Sequence, residues 1–495
     1  MTDIIKHSGQ VFTPDYLVAL ILDEAGYRGK AVLRKHCIDN SCGDGAFLCE
    51  IARRYCTAYL EVHGNINGLR EELREFIHGI EIDPVAFECC KENLISVFSE
   101  FDIADCPVDI INGDTLAVGK YDGKMDFVVG NPPYVRVHNL EDNFASVKSF
   151  SFANGGMTDL YLVFFEIGFN MLKKGGRLCY ITPSSWINSV AGFNMRQYIL
   201  MNRNLISVID LGHYQPFKAT TYTMISLFEK GLSNKSFEYN IFDASTLSKV
   251  FVDAIPFEKV CINGYFYLAD SDTLSDLTAV LCSPCQKYVS VKNGFATLAD
   301  SVFISPGFPF DEYTIPVIKA STGKWYEAFF PYDSDGKPLP YDAIFGNKEI
   351  SQYLMSNKEA LLKGRTEDEQ PLWYLYGRTQ ALKDVSADKI AINTCIKDVK
   401  SIKLNRAEAG QGVYSGLYIL TEVPFYVISQ IIVSDAFIKY ISSLKKYKSG
   451  GYYTFNSKEL EIYLNYKIQQ LIDNGDFPLS NTYQRRVPQG NLALF

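Results

Sequence analysis

Residues 127–135 read FVVGNPPYV, an apolar run that ends in glycine, asparagine, two prolines and a tyrosine. Two prolines directly after a strand force a stiff, extended turn. Such a turn can aim two oxygens, the Asn131 side-chain carbonyl and the Pro132 backbone carbonyl, at one point. Two acceptors converging on a planar NH₂ group hold both of its hydrogens. If they draw those hydrogens out of the ring plane, the nitrogen lone pair is freed to attack an electrophile in line, by positioning and electrostatics alone. Tyr134 adds a face on which a planar base can stack, worth roughly 1–3 kcal/mol.

Three acidic positions precede this turn. IDNSCGDGAFL (38–48) places Asp39 at a strand end before a glycine turn and a helix. Glycines there allow close backbone approach, and the helix start offers N–H groups. No Gly-Lys-Ser/Thr follows, so the turn is not a phosphate loop, and Asp39 would repel a pyrophosphate. GIEIDP (79–84) puts Glu81 at the end of the next strand, where a carboxylate can accept both hydroxyls of a ribose. NGDTL (112–116) supplies Asp114 as an acceptor for an adenine amine. Acids at three successive strand ends describe a pocket for an adenosine without phosphates. S-adenosylmethionine fits; NAD and ATP fit poorly.

The elements that must carry these residues alternate. Thr13-Pro14 opens a helix, since proline at a first helical turn sacrifices no hydrogen bond. A strand near 36–39, a helix over about 46–62, a strand ending at 81–83 and a helix opened by Pro84 follow. Strands are predicted near 108–112 and 125–129, a helix over about 159–173 with a Gly175-Gly176 stop, and strands at 177–182, 205–210 and 222–229. This rhythm predicts an α/β, Rossmann-like doubly wound sheet. Beyond about 235 it gives way to short apolar segments and Pro/Gly turns, predicting an irregular α+β domain. The boundaries drawn are 1–240 for the first domain, 241–285 for a connecting region and 286–495 for the second domain.

The chain has 495 residues, 47% hydrophobic and 21% charged, too long for one core and too apolar for disorder. No run of about 18 apolar residues predicts a membrane span, and the N-terminus lacks the apolar stretch of a secretory signal. Twelve scattered cysteines fit reduced thiols in a cytoplasm. The net charge is −9, but residues 1–280 carry −11 and residues 281–495 carry +2. Within 378–448 there are 11 basic and 6 acidic side chains. A local basic face matters more to a polyanion than the whole-chain sum.

With these motifs in order, residues 9–230 resemble the catalytic domain of adenine-N6 DNA methyltransferases of restriction–modification systems, the gamma or TaqI-type class. Gly9-Gln10-Val11-Phe12-Thr13-Pro14 matches that class's GQxxTP segment, and the likeness runs through DNSCGDGAF, EIDP, NGD and NPPYV. It extends to residues 158–187 and 211–225. The resemblance implies that Thr13 and Asp39, Asn40, Ser41 and Cys42 contact the methionine part of S-adenosylmethionine. Glu81 would hold the ribose, Asp114 the adenine N6, Phe164 would pack on the adenine, and Pro133 would lie beside the cofactor. Asn131, Pro132 and Tyr134 would hold the target base, with Phe217 as a second stacking face; an aromatic between two strands is otherwise core. Asp39-Asn40-Ser41 departs from the family's acidic-Pro-Ala. The C-terminal half resembles the family's target-recognition domain more faintly, at 315–326, 373–380 and 450–464. The resemblance implies double-stranded DNA as partner, an adenine flipped out of its stack, no metal, a monomer, and a restriction endonuclease on a separate chain. The apolar segment 135–157 (Val137, Phe144, Phe150, Phe152) is read as a loop ordering with DNA or cofactor, or as a core extension.

Rival chemistries leave weaker traces. Ser283-Pro284-Cys285 could suggest a cytosine-C5 thiolate, but it lies far behind the cofactor motifs. Cys282-x-x-Cys285 lacks a second ligand pair, and no histidine follows His213, against zinc. An NPPY turn also suits the amine of RNA, a release-factor glutamine or cytosine N4. A DNA-binding module with a vestigial pocket is the non-enzymatic reading.

Overall fold

Nine strands form one sheet, and its register explains why the first motifs converge. In the computed structural model, residues 13–136, 147–153, 158–217 and 221–477 are described. The chain divides into two compact units, Met1–Asp276 and Leu277–Phe495.

The strands of this sheet, all in the first unit, are β1 (Cys37–Asp39), β2 (Ile77–Glu81), β3 (Asp109–Asn112), β4 (Met125–Gly130), β5 (Leu172–Pro183), β6 (Leu205–Asp210), β7 (Thr223–Glu229), β8 (Ser236–Asp243) and β9 (Ser248–Pro256). Their spatial order is β3-β2-β1-β4-β5-β7-β6-β8-β9. The pairs β3-β2, β2-β1, β1-β4 and β4-β5 are parallel, and β7 runs antiparallel between β5 and β6. The α-helices described before β6 are α1 (Asp15–Ala25), α2 (Ala46–His63), α3 (Leu69–Phe76), α4 (Pro84–Ser99), α5 (Leu160–Met171) and α6 (Phe193–Asn202). Two apolar clusters cover the sheet, one including Ile38, Ile80, Val128 and Leu178, the other Cys37, Ile77, Val129 and Cys179. Alternate residues of one strand thus enter different cores, as a doubly wound sheet requires. The expected α/β class is what the structure has.

Two boundaries differ from the sequence reading. Gly175-Gly176 does not stop the helix, which ends at Met171; the glycines lie inside β5. Gly175 has φ +78°, and a Cβ on Gly176 would sit 2.6 Å from the Met125 carbonyl oxygen, so the pair builds an irregular entry into the strand where register shifts between Met125 and Phe127. The first unit does not end at 240 either. β8 pairs in parallel with β6, and β9 folds back on β8, so part of the expected connecting region 241–285 lies in the main sheet. An irregular pattern disguises β8: Glu238 and Ile241 are exposed, Tyr239 and Asn240 are both buried at a register shift, and Asn240 donates to the Val208 carbonyl at 3.3 Å.

The second unit holds small, mostly antiparallel sheets with interspersed helices, as an α+β domain does. Its long closing helix, Ser457–Asp473, packs against the strand Val289–Asn293. Asn465 there accepts from the Tyr288 and Val289 amides at 2.7 and 3.0 Å. Among the described residues no single helix is long and apolar enough to cross a membrane.

Candidate active site

Asp39, Glu81, Asp114 and Asn131 all follow from one rule of parallel sheets: ligands gather beyond the carboxyl ends of the strands. β1 and β4 are hydrogen-bonded neighbours, so Asp39 and the Gly130-Asn131 step emerge side by side. The contact is tight. A Cβ on Gly130 (φ +149°) would lie 2.6 Å from Asp39 Oδ1, so only glycine fits there.

Asp39 is buried and accepts from the Ser41 amide at 3.0 Å. Burial raises its pKa to about 7, against the effect of that hydrogen bond, and the Glu81 carboxylate adds to the rise. Glu81 takes the Gly43 amide on Oε2 and the Asp83 amide on Oε1, both at 2.8 Å. It therefore joins the turns entering α2 and α4, and burial raises its pKa as well. Asp114 spends one oxygen on the Leu116 amide at 2.9 Å. None of the three has a Lys or Arg partner among the described ion pairs of this unit. Carboxylates on strand ends without cations suit an amine, ribose hydroxyls and an adenine amine, so the site fits S-adenosylmethionine in the donors it asks for.

The next four residues serve different ends. The Asn40 side chain turns into the core, where its Oδ1 accepts from the Tyr180 hydroxyl at 2.8 Å. Its carbonyl accepts from Thr115 Oγ1 at 2.6 Å. Asn40 is thus a brace between β1, β5 and the turn after β3, and offers a ligand no side-chain group. Ser41 Oγ reaches the Asn131 carbonyl at 3.5 Å, and the Cys42 amide donates to the Ile80 carbonyl at 3.0 Å. The Cys42 thiol is buried against Cys90. Thr13 is buried, and its hydroxyl accepts from Asn131 Nδ2 at 3.1 Å. That bond fixes the amide so that its oxygen faces away from Thr13. Gly9 to Phe12 lie outside the described residues.

Around the turn, Pro132 is buried and Pro133 half-buried. Tyr134 donates from its hydroxyl to the Ile181 carbonyl at 3.2 Å, which anchors the ring to β5. Tyr134 and Phe217 meet, but edge to face, with centroids 6.2 Å apart and planes at 75°. Phe217 is buried in the apolar cluster of that face. Two parallel faces spaced for a base between them are therefore not formed in this state, and the core reading of Phe217 describes it. Residues 218–220 lie outside the described residues. Phe164, on α5, is buried in the cluster containing Ile38, Ile80 and Leu116, beneath the strand ends. Of the apolar segment 135–157, Val147 and Phe152 are buried and Phe150 packs on the same core, while Val137 and Phe144 lie outside the described residues. The amides of Ser151 and Phe152 donate to Glu166 at 3.1 and 2.8 Å, tying that turn to α5.

Sequence reasoning missed Gly43, Gly130, Thr115 and Tyr180. The glycine ahead of Asn-Pro-Pro and the threonine within NGDTL gave local signals. Tyr180 gave none, because its partner lies 140 positions away. No three His, Cys, Asp or Glu side chains among the described residues form a metal-ligand group.

Comparison with known proteins places this geometry. Residues 75–217 match the Eco57I restriction-modification methylase family. The chain is 28% identical to the Type II methyltransferase M.BstVI of Geobacillus stearothermophilus over 271 residues, 51% of this chain and 48% of that protein. It is 22% identical to the Type II restriction enzyme and methyltransferase RM.Eco57I of Escherichia coli over 551 aligned positions, 88% of this chain and 54% of the other. It thus spans about half the length of these relatives. A solved structure of the Type IIL restriction-modification enzyme MmeI in complex with DNA shares the fold, with TM-score 0.63 and 13% identity over 91% of this chain and 65% of that one. The resemblance to restriction–modification methyltransferases drawn from the motifs therefore holds.

Proposed function

We propose that this restriction–modification methyltransferase relative transfers a methyl group from S-adenosylmethionine to the N6 amine of an adenine flipped out of double-stranded DNA. The observation that carries the reading is the fixed Asn131 amide: Nδ2 is held by Thr13 at 3.1 Å, on the turn whose preceding glycine touches Asp39. An amide held from its nitrogen presents its oxygen in one direction, as an acceptor for one hydrogen of the target amine requires. The Pro132 carbonyl, locked by the ring that follows, takes the other. Bound S-adenosylmethionine supplies the electrophilic methyl. Asp39, Glu81 and Asp114 bind its amino acid, ribose and base ends. Tyr134 offers its ring to the flipped base, and rotation of Phe217 away from Tyr134 opens room for it. Unstacking costs a few kcal/mol, part of which aromatic contacts return. The second unit is assigned to target recognition, the chain to action as a monomer, and any nuclease to a separate polypeptide.

Incubation with methyl-tritiated S-adenosylmethionine and duplex DNA, RNA or protein tests this directly. N6-methyladenine in nuclease digests of the DNA is expected. Label confined to RNA, to glutamine or to cytosine would overturn the assignment.

A further inference from the structure

The second unit carries a small three-stranded sheet with one exposed face. Tyr452–Thr454 lies in the middle, between Cys395–Ile396 and Tyr447–Lys448, and both pairings are antiparallel. Cys395 faces Thr454 and Ile396 faces Tyr453, so the next position across is Lys397 beside Tyr452. Lys448 faces Tyr452 from the other side. Lys397, Tyr452 and Lys448 therefore line up in one row. Side chains alternate along a strand, and burial follows that alternation: Ile396 and Tyr447 point inward, while Lys397, Tyr452 and Lys448 are exposed.

Two exposed ammonium groups flank an exposed phenol, on backbones about 10 Å apart at the usual strand spacing. Lys400 and Lys403 follow Lys397 closely and are exposed too. Of the nearby acids, Asp398 keeps its charge, one carboxylate against four lysines, and Glu459 is paired. Asp398 accepts from the Ser401 amide at 2.9 Å, and Glu459 takes Lys446 and the Asn456 amide. The ion pairs described for this unit use Lys287, Lys292 and Lys446, none of the four exposed lysines. The hairpin tip is built for close approach: Gly450 and Gly451 have φ of +77° and +81°, and a Cβ on Gly451 would sit 3.4 Å from Lys397 Cε.

We propose that this row grips the sugar–phosphate backbone of duplex DNA and does not read bases. The proposal rests on the reading of duplex DNA as substrate. Unpaired like charges held close together favour a polyanion, and lysines act on phosphates as point charges independent of sequence. The Tyr452 hydroxyl adds a donor for a phosphate oxygen.

The test measures binding of the full chain to a random-sequence duplex by fluorescence anisotropy across salt concentration, with methylated positions mapped in parallel. In Lys397→Ala/Lys448→Ala the slope of log affinity against log salt should become less negative by about two, with affinity near 0.1 M salt falling roughly tenfold to a hundredfold. The methylated sequence should stay the same, and Tyr452→Ala should cost less affinity with no change in slope. Lys348→Ala/Lys363→Ala, the same charge change at exposed lysines elsewhere in this unit, should leave the slope unaltered. A wild-type slope in the Lys397/Lys448 variant, or a changed target sequence, would overturn the proposal. If the unaltered chain binds no duplex, or prefers single-stranded RNA of equal length, the substrate reading beneath it fails instead.

Discussion

The two ends of the central parallel strands use carboxylates in opposite ways. At the carboxyl ends, Asp39, Glu81 and Asp114 meet backbone amides, and none of the ion pairs among the described residues uses them. At the amino ends, Asp126 is paired with Lys173 at 2.6 Å and Lys35 at 3.6 Å. Asp109 takes Lys120 at 2.7 Å, the Tyr121 hydroxyl at 3.0 Å and His78 at 3.1 Å. Despite partial burial, those bonds hold the Asp109 pKa below the usual range, whereas burial lifts Asp39 to about 7. One end neutralises its acids within the fold; the other keeps them for something that arrives.

The difference predicts which changes cost activity and which cost stability. The largest effect belongs to the acceptor itself. Asn131→Ala should lower the single-turnover methyl-transfer rate by about 10²–10³-fold, the usual cost of removing a preorganised polar contact to a reacting group. Cofactor affinity, read by calorimetry, should stay within a few-fold. Full activity in that variant would remove Asn131 from the chemistry.

Glu81→Ala should weaken S-adenosylmethionine binding by about 10- to 100-fold, since it removes the ribose acceptor and loosens Gly43 and Asp83. Asp109→Ala should do the reverse, leaving cofactor affinity unchanged while lowering stability by about 1–3 kcal/mol through an orphaned His78 and Tyr121. Equal loss of cofactor binding in both variants would erase the contrast between the two ends.

The sequence announced the carboxyl ends better than the amino ends for a physical reason. The strand-end residues sit in short contiguous motifs, because a turn has to place several atoms within a few ångströms. Asp39, Glu81, Asp114 and Asn131 were all legible in this way, as were most of the strands and helices of the first unit. The amino-end network joins His36, His78, Asp109 and Tyr121, which touch only once β1, β2 and β3 are in register. The same distance in sequence hid Tyr180 behind Asn40. It also hid the bond between Thr13 and Asn131, 118 positions on. The strands β8 and β9 were missed because their alternation is broken: a register shift buries both Tyr239 and Asn240, and β9 leaves Val250 and Phe251 exposed.

Opposite pH dependences follow from the two ends. Asp39 has a folded-state pKa raised from 3.8 to about 7, so its contribution to stability is present below about pH 4 and is lost as pH rises toward 7. His78 has a folded-state pKa lowered from 6.5 to about 4, chiefly by burial, so its contribution is present above about 6.5 and is lost as pH falls toward 4. Each slope approaches about 1.4 kcal/mol per pH unit, and between pH 4 and 6.5 they oppose. Asp39→Asn should therefore unmask an unfolding free energy that climbs with pH over that window, measured by urea titration. Cofactor affinity in the unaltered protein should fall up to about tenfold per unit below pH 7, and the Asn variant should lack that limb. A pH-independent affinity in the unaltered protein would mean that Asp39 does not meet the cofactor as a charged group.

The smallest effect separates the members of the amino-end network. Lys120 is about half exposed, with side-chain exposure of 54%, and its pair with Asp109 is therefore screened by solvent. Lys120→Met should cost at most about 1 kcal/mol near pH 7, because His78 and Tyr121 still donate to Asp109. Its signature lies in acid. The His78 ring meets the Asp109 carboxylate through Nδ1 and His36 Nδ1 through Nε2, at 3.1 and 3.0 Å, and burial chiefly disfavours its protonation. Lys120 adds to that penalty by its charge. Removing it should raise the His78 pKa, seen by NMR titration of the ring, and make the acid limb of stability shallower. An unmoved His78 titration would show that Asp109, His36 and burial set the network and that Lys120 is only a surface ornament of it.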